Sequence, residues 1–115
     1  MARYEVERTV KTVVTVSDST EGTARSSARR KLRERLRGTE PDGGSFAVDH
    51  AAVYEQPAGP FEPYRMVVTL TLAVGVAGDD EASAREEGVE AIESWLAASD
   101  LDGYEYESDP AVASA

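Results

Sequence analysis

Positively charged residues are concentrated in one short stretch of this 115-residue chain. Of its 12 basic residues, seven fall between positions 25 and 37. They are Arg25, Arg29, Arg30, Lys31, Arg33, Arg35 and Arg37. Within that stretch only Glu34 opposes them. A helix this rich in positive charge can bind a nucleic-acid backbone or an acidic protein surface, so the stretch is the first candidate for a functional site.

Three interpretations of the basic stretch are open. The helix 24–37 could bind the phosphate backbone of a nucleic acid, or dock an acidic protein or an acidic patch on a second copy of the chain. It could also lie beside an acidic second helix, so that the two balance each other on a solvated face. The acidic residues of that helix are Glu81, Glu86, Glu87, Glu90 and Glu93. If a partner docks, the predicted contact residues are Arg25, Arg29, Arg30, Arg33 and Arg37.

The chain as a whole has the opposite charge. It carries 22 acidic residues and a net charge of −10, and only Lys11 and Lys31 among its basic residues are lysines. This composition resembles that of cytosolic proteins from extreme halophiles, so we predict a cytoplasmic, halophilic and archaeal protein. Molar salt would relieve the self-repulsion, because the screening length falls to about 3 Å at 1 M. A nucleic-acid complex held by five phosphate contacts would lose roughly six decades of affinity between about 0.15 and 3 M salt. Charge alone should therefore not hold nucleic acid on this helix at molar salt.

His50 is the single histidine of the chain and the second candidate for chemistry. The alternation around it predicts an inward-facing side chain, either hydrogen-bonded in the core or lining a pocket between sheet and helices. Such a pocket could serve an enzyme or a small-molecule binder. The chain has no cysteine, which excludes disulfides, zinc–thiolate sites and thiol catalysis. We therefore predict no metal and no cofactor, and we assign no catalytic residue.

Two long stretches that alternate in hydrophobicity with a period of two indicate strands with one buried face. They run over residues 4–16 and 64–76. A weaker alternation over residues 46–55 predicts a third strand, and a short fourth strand after Gly103 is expected to point its two tyrosines inward. The loop 56–63 contains three prolines and could present Phe61 to a partner.

Helical patterns separate these strands. Asp18 and Glu21 fit a capping box at the start of the first helix, which should run to about Arg37. Its buried stripe is thin and consists of Ala24, Ala28, Leu32 and Leu36. The second helix should open at Glu81 and end around Ala98, with Trp95 in the core.

Strand, helix, strand, strand, helix, strand is the order of the ferredoxin-like split βαβ fold. We therefore predict an α+β domain with a four-stranded antiparallel sheet of order 4-1-3-2 and both helices on one face. The chain also matches itself at a shift of 60 positions, where Ala24 falls on Ala84 and Leu36 on Leu96. This predicts one domain, residues 1–107, built from duplicated units 3–55 and 62–107. Residues 108–115 are predicted to form a disordered tail.

The sheet face away from the helices, which we call the open face, is predicted to carry small side chains and no aromatic residue. Its expected members are Thr9, Lys11, Val13, Asp49, Ala51, Val53, Val67, Thr69 and Thr71. RNA-recognition motifs share this fold but stack bases on aromatic residues there, which argues against RNA. Small side chains would allow two copies to pack sheet on sheet, so a homodimer is possible.

The leading functional hypothesis is therefore a non-catalytic interaction module. An enzyme or small-molecule binder with a pocket near His50 is one alternative, and a nucleic-acid binder through the basic helix is another. No apolar run is long enough to span a bilayer, so we expect no membrane association.

Overall fold

The computed structural model describes residues 2–59, 62–101 and 103–115. Its elements in chain order are β1 (Ala2–Val16), α1 (Glu21–Arg37), β2 (Gly44–Glu55), β3 (Tyr64–Gly78), α2 (Glu81–Ala98), β4 (Tyr104–Tyr106) and β5 (Ala111–Ser114). Phe61, the loop residue considered for a partner, lies outside the described residues, as does Asp102. The predicted ferredoxin-like α+β fold is confirmed.

The sheet is antiparallel and its strands lie in the order β2-β3-β1-β4, which is the predicted order. β1 and β3 pair over their full 15-residue lengths, from Ala2 opposite Gly78 to Val16 opposite Tyr64. Their even-numbered residues face the same side, because directly opposite residues share a face. That side carries the buried Val10 and Leu70, both fully inaccessible to solvent.

Both helices bury their apolar stripes in the same core cluster as this face of the sheet. α1 contributes its four predicted residues, Ala24, Ala28, Leu32 and Leu36. α2 approaches β1 so closely at Gly88 that a Cβ placed there would overlap the Val6 side chain. The absence of a side chain at Gly88 therefore sets the distance between α2 and the sheet.

Both helices begin close to the residues predicted from the sequence, but the N-terminal capping residue of α1 differs from the prediction. The N-cap of α1 is Thr20, whose side chain accepts a hydrogen bond from the Thr23 N–H at 3.2 Å. The predicted Asp18 cap is wrong because the helix begins at Glu21, and an N-cap must directly precede the first helical residue. α2 begins 60 residues later, where Asp80 accepts from the Ser83 N–H at 2.8 Å. This hydrogen bond lowers the pKa of Asp80.

The C-terminal segment is ordered, so the predicted disordered tail at 108–115 is wrong. β5 pairs with β1 from Tyr4 to Glu7, and Val112 packs against the core. β4 covers β1 only from Val10 to Thr12, which leaves the first part of β1 free for a second short strand. Ser108 bridges the two, since its side-chain oxygen accepts from the Thr9 N–H at 3.0 Å.

β2 does not keep the alternation expected of it. Its pairing with β3 shifts by one residue between Val48 and His50, and again between Val53 and Glu55. Each shift is a bulge, which turns the following side chains to the opposite face. His50 consequently lies opposite Thr69 on the open face, and its predicted inward orientation is wrong. Ala51 and Val53, expected on the open face, pack against the core instead.

In the described part of the chain, no helix is both long and apolar enough to cross a membrane.

Candidate functional site

Four arginines follow one another at a spacing of four residues along α1. Each directly follows one of the buried residues Ala24, Ala28, Leu32 and Leu36. The four are Arg25, Arg29, Arg33 and Arg37, and we call them the arginine row. Residues four apart are neighbours on a helix, about 6 Å apart along the axis, and each is rotated by about 40° from the one before, so the row is inclined to the helix axis. Arg30, the fifth predicted contact residue, is exposed on α1 outside this row.

The C-terminal half of the arginine row borders the outer edge of the sheet. Arg33 and Arg37 line a groove of about 450 Å³. The remaining lining residues are Glu40, Ser45, Phe46, Ala47 and Val48, and we call this cavity the β2 groove. β2 is the terminal strand of the sheet order. On the opposite flank of α1, the Lys31 ammonium donates to the Thr15 carbonyl of β1 at 3.1 Å. The row therefore faces away from α2.

Little of the charge on α1 is neutralised within the described residues. The ion pairs found there are Lys11–Glu107 at 3.5 Å, Arg25–Glu21 at 3.2 Å and Arg65–Glu55 at 2.9 Å. None of these pairs joins α1 to α2. In the row, Arg29 carries a buried Nε with no hydrogen-bond partner in the described part of the chain.

The two helices meet through neutral groups at their C-terminal ends instead. The Trp95 indole N–H donates to the Leu36 carbonyl at 3.2 Å, and the hydroxyls of Thr39 and Ser99 are 2.7 Å apart. These contacts draw together the carboxyl ends of α1 and α2. The arginines on the far flank of α1 consequently remain available for another molecule.

His50 is exposed on the open face of the sheet. Its Nε2 lies 3.4 Å from the Thr69 hydroxyl, and the neighbouring Asp49 carboxylate accepts from the Thr71 hydroxyl at 3.0 Å. The predicted pocket between sheet and helices around His50 is therefore wrong, because the bulge after Val48 turns the ring to the other side. The described residues also hold no group of three or more His, Asp or Glu side chains arranged to bind a metal ion.

The open face does carry an aromatic residue, contrary to the prediction. Tyr54 lines a cavity of about 310 Å³ with Val13 and Val67, whose register places them on that face. Tyr54 is 60% exposed, and the Arg65 guanidinium carbon lies 5.3 Å from its ring centroid. Tyr104 borders the same cavity and is 38% exposed, although its pairing opposite Thr12 places it on the helix side of the sheet, the inward orientation predicted for it. We call this cavity the tyrosine cleft.

Tyr106 lies next to the cleft but is shielded. Its ring packs edge to face with Tyr104 at a centroid distance of 5.6 Å, and the Arg8 guanidinium carbon sits 3.4 Å from its ring centroid. Burial, with a smaller contribution from Tyr104, raises the pKa of Tyr106 to about 12. Tyr106 therefore stays neutral at ordinary pH and acts as packing, while Tyr104 borders solvent.

No family model matches the chain, and no curated protein matches it either. Among solved structures, it is similar to AtUAH in complex with glyoxylate, with 10% identity and a TM-score of 0.35 over 98% of this chain and 28% of that one. It is also similar to an amidase of the hydantoinase/carbamoylase family from Burkholderia vietnamiensis, with 13% identity and a TM-score of 0.37 over 96% and 29% of the two chains. The chain thus spans less than a third of each of these proteins, and likeness at this level carries no conclusion about function.

Proposed function

We propose that the protein is a non-catalytic interaction module that binds an acidic protein partner through the arginine row. The observation that carries this proposal is the position of Arg33 and Arg37 beside the uncovered edge of β2, while within the row only Arg25 is held in an ion pair among the described residues. In a chain of net charge −10, this flank of α1 has the opposite sign. Complementary charge of this kind steers association and selects partners.

The enzyme alternative is weakened by the position of His50. A general acid or base needs a cleft and an orienting partner. The ring is exposed and its side-chain contact is a long one, 3.4 Å to the Thr69 hydroxyl. A solvated histidine on a sheet surface has no means of excluding water from a reaction.

The nucleic-acid alternative is weakened by the separation of the basic and aromatic residues. The arginine row lies on the helix side of the sheet, whereas Tyr54 lies on the open face. A single strand that follows the arginines would therefore not stack on this tyrosine, and charge alone fails at high salt. The acidic composition supports the further proposal that the protein works at molar salt in an archaeal cytoplasm.

The test is binding of fluorescein-labelled poly-L-glutamate, measured by fluorescence anisotropy at low and at molar KCl. Replacing Arg29, Arg33 and Arg37 together with glutamine should weaken binding about tenfold, since three exposed ion pairs at about 0.5 kcal/mol each sum to about 1.5 kcal/mol. Arg30→Gln with Arg85→Gln is the control, because both arginines are exposed and lie outside the row. Equal loss in test and control, or tighter binding of single-stranded DNA of matched charge, contradicts the proposal.

A second candidate is self-association across the open face, favoured by the tyrosine cleft. Tyrosine is enriched at protein interfaces, and Tyr54 on this face is 60% exposed. Fifteen-residue strands span about 50 Å, so the face offers roughly 700 Å². Standard interfaces bury about 600 to 1,000 Å² on each partner, and the area of the open face falls within that range.

A further inference from the structure

The outer edge of β2 is open to another strand. Its inner edge pairs with β3, from Gly44 opposite Val74 onwards, and no described residue pairs with its outer edge. The Gly75 N–H donates to the Gly43 carbonyl at 3.1 Å, so these two residues form a hydrogen-bonded pair of the β2–β3 ladder. Every second residue of β2 from Gly43 onwards therefore directs its backbone groups towards β3. Because antiparallel ladders alternate, the backbone groups of Phe46 and Val48 point towards the free edge. These N–H and C=O groups can donate hydrogen bonds to an added strand and accept hydrogen bonds from it.

The arginine row has a spacing that an added strand can match. Successive arginines of the row are about 6 Å apart along the helix axis. Side chains on one face of a strand repeat every two residues, or about 6.6 to 6.8 Å. Over the interval from Arg33 to Arg37, the two arginines that line the β2 groove, the mismatch is about 1 Å, which long arginine side chains absorb. β2 runs back along α1, so Arg37 and Arg33 lie beside its first residues in the β2 groove.

A second copy of the chain fits this edge poorly. Pairing β2 with β2 of another copy would bring two arginine rows side by side, and juxtaposed like charges oppose association. An acidic segment of another protein would instead place carboxylates against the row. Its main-chain hydrogen bonds would also persist at molar salt, where exposed ion pairs are screened.

We infer that the partner binds as an extended strand along the first half of β2, with acidic residues at alternate positions facing Arg33 and Arg37. This inference rests on the proposed function and adds to it the conformation and sequence pattern of the partner. The bulge after Val48 limits the regular pairing to Gly44–Val48, so we expect a short segment.

The experiment compares two labelled peptides of identical composition. One alternates glutamate and threonine, and the other carries its glutamates in a single block followed by its threonines. Fluorescence anisotropy at molar KCl should give at least tenfold tighter binding of the alternating peptide. N-methylating alternate amides of that peptide should abolish the advantage, because the methylated edge cannot donate to β2.

Amide hydrogen exchange gives a second readout. The alternating peptide should slow exchange of the Phe46 and Val48 N–H groups about tenfold, and leave Ser45 and Ala47 unchanged because these already face β3. Equal affinities for the two peptides, both weakened by Arg33→Gln with Arg37→Gln, would overturn strand addition while the proposed function stands. If neither peptide binds, or if single-stranded DNA binds more tightly than both, the inference and the proposed function both fail.

Discussion

Thr39 and Ser99 are 60 residues apart in the chain, yet their side-chain oxygens lie 2.7 Å apart. Thr39 follows α1 and Ser99 caps the end of α2, so the contact joins equivalent positions of the two strand–helix units. The helices also begin 60 residues apart, at Glu21 and Glu81. The structure therefore brings equivalent positions of the two units into direct contact. That the units arose by duplication stays a prediction.

This hydrogen bond should couple the two helices energetically. In a double-mutant cycle with Thr39→Val and Ser99→Ala, we expect a coupling of about 1 kcal/mol in the free energy of unfolding. The cycle is needed because Ser99 also donates to the Trp95 carbonyl at 2.8 Å. Denaturant unfolding at constant KCl concentration measures the coupling, and additive single effects would show that the contact contributes nothing.

Gly88→Ala should destabilise the fold. The added methyl group would overlap Val6, and α2 must move away from β1 to relieve the overlap. Overpacking of this kind costs about 1 to 3 kcal/mol. Gly22→Ala in α1 is the matched control, because nothing lies within 4 Å of the new Cβ. That change should stabilise the protein by about 0.5 to 1 kcal/mol, and an equal effect of the two substitutions on the unfolding midpoint would contradict the close approach at Gly88.

The short strand β5 should contribute to stability through Val112. Val112 packs against the core, whereas the neighbouring Ala113 is exposed. Val112→Lys should therefore cost about 1 to 2 kcal/mol of unfolding free energy, and Ala113→Lys should be close to neutral. If both variants unfold at the wild-type denaturant concentration, β5 does not stabilise the domain.

Stability should fall at high pH through Tyr106. Its folded pKa of about 12 exceeds the ordinary value of 10.0, so the neutral form is favoured by folding. The resulting stabilisation is fully present below pH 10 and is lost as the pH rises towards 12. Tyr106→Phe cannot ionise at this position, so its stability should fall less steeply than that of the wild type between these limits. Denaturant unfolding measures the free energy of unfolding of both proteins across this pH range. If the two values change in parallel with pH, the pKa of Tyr106 is not raised in the folded state.

The open face can be tested by light scattering at molar KCl. If two copies pack across it, Tyr54→Asp or Val67→Glu should give the mass of a monomer, because each places a charge in the centre of the interface. Ala82→Glu on the exposed side of α2 should leave the mass unchanged. If the wild-type protein is already monomeric at high protein concentration, self-association across the open face is excluded.

The local sequence predicted the long elements well because their periodicity is strong. Val10, Leu70 and their neighbours alternate without ambiguity, and the bounds of α2 follow from Asp80 and its buried stripe. The failures lie where the pattern is weak. Ala51, Ala52 and Val53 are all small or apolar, so no contrast along the strand could reveal which of them faces the core. The short β5 carries only Val112 as a large apolar residue, which is too little to indicate a strand.

The sequence by itself determined the order of the elements, the buried stripes of both helices and the row of arginines one turn apart, because these depend on residue types at fixed helical or strand periods. Only the tertiary structure decided that His50 and Tyr54 lie on the open face, since the bulges of β2 arise from its pairing with β3. The tertiary structure also placed Arg33 and Arg37 beside the free edge of β2. Strand register and helix placement depend on contacts between distant parts of the chain, which local periodicity does not encode.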